Sequence, residues 1–120
     1  MFTDGIKGPV TTTSVCEYYK RMFDSPDELQ RLAAVKRWYV WEERLSRLSL
    51  PHGTGEFTNH YPINLMTSLA KLECHYLAHN CFIPENYILQ NVHKISHIPG
   101  TIVHGRYDVI CSTKSAYTLH

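Results

Sequence analysis

Asp108 follows the β-branched run Thr101-Ile102-Val103-His104 across a glycine-led turn, Gly105-Arg106-Tyr107. A carboxylate at the carboxyl end of a strand lies where open α/β sheets assemble their ligand and catalytic sites. The same placement suits an aspartate that caps a following helix, so the local pattern leaves both roles open. A second acid, Glu73, falls in the row Met66, Ala70, Glu73, Leu77, which is otherwise apolar. Burying an unpaired carboxylate is costly, so this position needs a cation or hydrogen-bond donors, and a ligand amine or an arginine would serve. Glu42 adjoins Trp41 on a charged helix, where a solvated surface glutamate is the default reading.

The chain has eight histidines. His75 and His79, and again His93 and His97, are spaced to share a helix face, with Cys74 and Cys81 close by, a set compatible with zinc. No H-e-x-x-H pattern or paired C-x-x-C accompanies them, and packing or hydrogen bonding accounts for these side chains more simply. No metal is expected.

The elements that must position these residues are mainly helical. Thr11 to Phe23 is expected to form a helix behind Gly8-Pro9, with threonine or serine capping its first turn. Ser25-Pro26-Asp27-Glu28 supplies a hydroxyl cap, a proline at the first helical position and an acid three residues on, predicting a helix from about Pro26 to Ser49. Its inward face is read as Ala34, Trp38, Trp41, Leu45 and Leu48. Leu50-Pro51-His52-Gly53-Thr54-Gly55 breaks the pattern and predicts a loop. A further helix is predicted over about Pro62 to Asn80, its main stripe Leu65, Leu69, Leu72 and Tyr76. A shorter helix after Pro84 uses Ile88, Val92 and Ile95; then come a strand at Thr101–His104 and a helix from Ser112. One strand cannot make a sheet, so its neighbours must lie outside these residues.

Composition narrows the class. The 120 residues are 43% hydrophobic and 19% charged with formal net charge +1, which is ordinary for a globular protein and too evenly mixed to track a phosphate backbone, so nucleic acid is not an expected partner. No run of apolar residues is long enough to span a bilayer, and Met1-Phe2-Thr3-Asp4-Gly5 does not open a signal peptide, so no membrane association and a cytoplasmic setting are expected. Four cysteines without a C-x-x-C pair are expected to be reduced and mostly buried.

The segment Ile98-Pro99-Gly100-Thr101-Ile102-Val103-His104-Gly105-Arg106-Tyr107-Asp108-Val109-Ile110-Cys111 resembles the stretch around the catalytic aspartate of proline iminopeptidases (prolyl aminopeptidases), serine peptidases of the α/β-hydrolase superfamily. Leu89-Gln90-Asn91-Val92-His93 is similar to the helix leading into that strand. Leu72-Glu73-Cys74-His75-Tyr76 is similar to the family's glutamate-bearing cap helix, and Ala34-Val35-Lys36-Arg37-Trp38-Tyr39-Val40-Trp41-Glu42 to its Trp-Glu helix. The resemblance runs from about Glu28 to His120.

It implies an α/β fold in fragment form, mostly helical cap plus one core strand with flanking helices, divided as residues 1–83 (cap) and 84–120 (partial core). It also implies that Asp108 is the triad acid, which holds a histidine in its useful tautomer and stabilises the imidazolium formed as serine loses its proton. By the same resemblance Glu42 and Glu73 receive the free α-amino group of peptides with N-terminal proline, without any metal or organic cofactor. The family's serine elbow, its His-Gly-Gly-Pro loop and its Gly-x-Gly-His segment are absent from these residues. Because triad order in this fold is serine, acid, histidine, the expectation is a partial chain that is inactive alone. The alternative is a non-catalytic helical interaction fragment, self-associating through exposed apolar helix faces.

Overall fold

The computed structural model describes residues 2–49 and 61–120, so the loop expected over Leu50–Gly55 lies outside the described residues. The chain divides into two compact units, Met1–Phe82 and Ile83–His120.

In the first unit, α1 spans Thr12–Phe23 and begins with a reciprocal cap. Thr11 Oγ1 accepts from the Ser14 backbone N–H at 3.1 Å, and Ser14 Oγ accepts from the Thr11 N–H at 2.9 Å, so two otherwise orphaned donors are satisfied. Thr11→Ala is therefore expected to lower the unfolding free energy of this unit by about 1 kcal/mol, read as a shift in urea midpoint at unchanged slope. An unshifted midpoint would mean the cap is not formed in solution.

The second helix, α2, spans Glu28–Leu45. Its cap is Asp27, whose Oδ1 accepts from the N–H groups of Leu29 at 2.9 Å and Gln30 at 3.3 Å, rather than Ser25. A carboxylate caps as well as a hydroxyl, and Asp27 carries the negative charge that favours the helix's positive end. Ser46 closes α2, short of the expected Ser49. The third helix, α3, spans Ile63–Ala78 behind Pro62.

All three helices pack on one another. The core they enclose is Cys16, Tyr19 and Phe23 from α1, Ala34, Val35, Trp38 and Tyr39 from α2, and Met66, Ala70 and Cys74 from α3. Helix α2 touches two neighbours, so its buried arc widens to include Val35 and Tyr39, while Leu45 and Leu48 stay exposed, contrary to the expected stripe. The larger correction is in α3, where Leu65, Leu69, Leu72 and Tyr76, read as the inward row, are 41–58% exposed. The helix turns its smaller residues inward because Ala70 and Cys74 allow close approach to α1: the Cys74 thiol lies 3.4 Å from the Cys16 carbonyl and donates to it. Phe2 completes the core from outside the helices, stacked between Tyr19 at 4.6 Å and Trp41 at 4.5 Å between centroids, with the Tyr19 hydroxyl donating to the Phe2 carbonyl at 2.7 Å.

Past α3 a short 3₁₀ turn, Asn80–Phe82, holds three consecutive residues at positive φ, 49°, 54° and 60°. The second unit contains α4 (Tyr87–Asn91), a 3₁₀ turn at Val92–Lys94 and α5 (Thr113–Leu119), the last capped by Ser112. The helix expected to carry Ile88, Val92 and Ile95 thus loses its α geometry after Asn91. The strand expected at Thr101–His104 is not formed, and there is no β-strand among the described residues. A strand needs its N–H and C=O groups paired by a neighbour, and the described residues provide none. No helix among the described residues is long and apolar enough to cross a membrane.

Candidate functional site

Glu73 sits one position before Cys74, at the edge of the α3 face that meets α2, and is half-buried. Its partner is neither an arginine nor, among the described residues, any other cation: the Trp38 indole N–H donates to Glu73 Oε2 at 2.7 Å. Trp38 is 1% exposed and held by the rings of Phe2, Tyr19, Phe23 and Trp41, all within 5.8 Å between centroids. Glu42 lies one turn beyond Trp38 on α2, on the same side of the helix. Burial first, and the negative charge of Glu73 second, push the Glu42 carboxyl above its ordinary value of 4.5. The two acids therefore feel one another across the α2–α3 contact. Besides hydrogen-bond donors, a positive charge or a proton between two half-buried carboxylates relieves their repulsion.

Trp38 also lines, with Phe2, Val15, Trp41 and Leu77, an open groove of about 550 Å³. Its role as the donor that holds Glu73 has no local signature, since the two residues lie 35 apart in sequence. What sequence offered was indirect: an acid in an apolar row requires some donor, and a tryptophan on a facing helix carries one.

In the second unit, Asp108 is exposed and shapes a turn. Its Oδ1 accepts from the backbone N–H groups of Ile110 at 3.0 Å and Cys111 at 2.9 Å, while its own N–H donates to the Gly105 carbonyl at 3.3 Å. Asp108 therefore caps a turn and not a helix, since the following helix, α5, takes its cap from Ser112. Oδ2 accepts no hydrogen bond from the described residues and remains available to a further donor. The structure does not seat Asp108 at the end of a formed strand, and no histidine among the described residues donates to it. Asp108 belongs to one compact unit, Glu42 and Glu73 to the other.

The described histidines form no ligand set. His75 and His79 rings lie 4.5 Å apart, and His79 stacks on Phe82 at 5.0 Å and 9°. Cys74 points into the core, where burial, ahead of its contact with Cys16, pushes its thiol up to about 12. No group of three metal-ligating side chains occurs among the described residues. All four cysteines are free thiols, but only Cys16 and Cys74 are buried; Cys81 and Cys111 are exposed, against the expectation that most would be inside.

Over 114 residues the chain is 40% identical to a proline iminopeptidase of Xanthomonas citri, a match covering 93% of this chain and 36% of that protein. A probable proline iminopeptidase of Leptolyngbya boryana is 38% identical over 108 residues, 88% of this chain and 32% of that protein. A proline iminopeptidase of Arabidopsis thaliana is 33% identical over 120 residues, 99% of this chain and 31% of that protein. The chain thus spans about a third of the length of the curated relatives it matches. No family model matches it.

Proposed function

Because this chain is homologous to about a third of the length of proline iminopeptidases, we propose that it serves as part of a serine-type prolyl aminopeptidase of the α/β-hydrolase fold, releasing N-terminal proline from peptides in the cytoplasm. Residues 1–83 are then a helical cap portion and 84–120 a partial core. Asp108 is the triad acid, with Oδ1 fixed by the Ile110 and Cys111 amides and Oδ2 left for the histidine. Glu42 and Glu73 bind the substrate's α-ammonium. Alone the chain is inactive, since it has no serine elbow and no oxyanion donors to work with its acid.

The observation that most supports this reading is that Glu42 and Glu73 are both half-buried on helices that pack together, the charge of Glu73 adding to burial in raising the Glu42 pKa. An ammonium placed between them relieves that repulsion, whereas an acylated N-terminus, having no charge, does not. Recognition of a free amino terminus limits hydrolysis to one residue.

The test is a chimera in which this chain replaces the matching stretch of the Xanthomonas citri enzyme. It is expected to cleave proline p-nitroanilide and to leave the N-acetylated compound intact. Ionised Glu42 attracts the ammonium and protonated Glu42 does not. With its pKa raised, that attraction is lost at a higher pH than for an ordinary glutamate, so KM rises as pH falls toward and through the raised value. Glu42→Gln raises KM and flattens this limb. A folded chimera that does not turn over, or whose KM ignores Glu42, overturns the assignment.

A further inference from the structure

We propose that Trp38 is a positioning residue for amine recognition, its indole N–H tying Oε2 of Glu73 so that Oε1 is presented to the ligand. The inference rests on the amine-binding reading of Glu42 and Glu73 and deepens it by naming what orients the carboxylate.

A glutamate has three side-chain torsions and loses that freedom when it must hold one geometry. The 2.7 Å bond from Trp38 supplies the constraint beforehand, and a bond from N–H to an ionised oxygen is among the stronger kinds. The donor itself cannot swing away. Trp38 is 1% exposed and wedged among Phe2, Tyr19, Phe23 and Trp41, so its ring is locked by packing. An indole N–H donates and never accepts, which leaves no ambiguity about which partner is which.

The choice of a neutral donor matters as much as its rigidity. An arginine at this place would orient Glu73 equally well but would cancel its charge, removing the attraction that an ammonium needs. Trp38 fixes the carboxylate and leaves the full negative charge in place, and Glu42 senses that charge. Oε1 accepts no hydrogen bond from the described residues, so one oxygen is held and one is open. A ligand ammonium then meets a preorganised acceptor and spends little of its binding free energy on ordering it.

The experiment uses the full chain labelled with ¹⁵N and follows its two indole N–H resonances while prolinamide is added. The Trp38 resonance is expected to lie away from the position of a water-exposed indole, to move on Glu73→Gln, and to shift saturably with prolinamide but not with N-acetylprolinamide. Trp38→Phe keeps an aromatic ring against Tyr19 and Phe23 and removes the donor together with part of the ring volume. It is expected to raise the prolinamide Kd about ten-fold, because the ligand must then order the Glu73 side chain itself. If Trp38→Phe binds prolinamide as the unmodified chain does, the positioning role is overturned while the amine site stands. If the unmodified chain does not respond to prolinamide, the amine site fails and the inference with it. Should Trp38→Phe not fold, judged by far-UV circular dichroism, the unmodified chain decides: a Trp38 resonance at the water-exposed position, or one indifferent to Glu73→Gln, overturns the role.

Discussion

Asp108→Asn in the segment-swap chimera is expected to lower turnover of proline p-nitroanilide about 10⁴-fold with little change in KM. Two features of the residue make the effect separable from misfolding. Oδ1 carries the structural bonds to the Ile110 and Cys111 amides, and the amide oxygen of asparagine can accept both. What asparagine cannot do is place an anion on its other arm: an NH₂ there donates, selects the wrong histidine tautomer and offers no charge to the imidazolium. Folding should therefore survive while the chemistry fails. Thermal unfolding alongside kcat checks this, and a loss of less than ten-fold in a stable variant would return Asp108 to the role of a turn-capping residue only.

Trp38→Ala should unfold the first unit most readily of any single change, at a cost of about 3–5 kcal/mol. Trp38 is the largest fully buried side chain, and its ring is the meeting point of Phe2, Tyr19, Phe23 and Trp41. Truncation opens a cavity that helices already joined at short range cannot collapse, and it strips Glu73 of its donor while the carboxylate stays half-buried. Small domains have about 5–15 kcal/mol in total, so a large share of the margin goes. Guanidinium titration followed by circular dichroism reads the loss; a cost below about 1 kcal/mol would mean that the ring is not packed as described.

Helix existence was legible from sequence because it depends on neighbours a few residues apart. The threonines and serines behind Gly8-Pro9, the Ser25–Glu28 start signal and the start at Ser112 all announced helices that are present, although the cap of α2 moved to Asp27 because two adequate capping side chains lie two residues apart. Which face of a helix turns inward depends on what else is there, and that failed for α3. The leucine row scores highest by hydrophobicity, but Met66, Ala70 and Cys74 fit against α1 and α2, and steric fit decided. Thr101–His104 shows the same limit from the other side: its β-branched residues favour a strand, yet strand hydrogen bonds are made between segments and no segment here answers. That Glu73 needs a partner was legible, because an acid in an apolar row demands one. The partner's identity was not, because 35 residues separate Trp38 from Glu73 and only tertiary packing joins them.

The outward leucines of α3 set a condition on how this chain can exist at high concentration. From Leu65 to Tyr76 they form a ribbon roughly 17 Å long at the usual helical rise, more than half of whose apolar surface faces water at Leu65, Leu72 and Tyr76. Each such molecule lowers its free energy by shading that ribbon, and the gain grows with crowding as the entropy cost of association falls. Glutamate or lysine placed along it is therefore expected to lower light scattering from concentrated solution, and unchanged scattering would mean that this ribbon does not drive association.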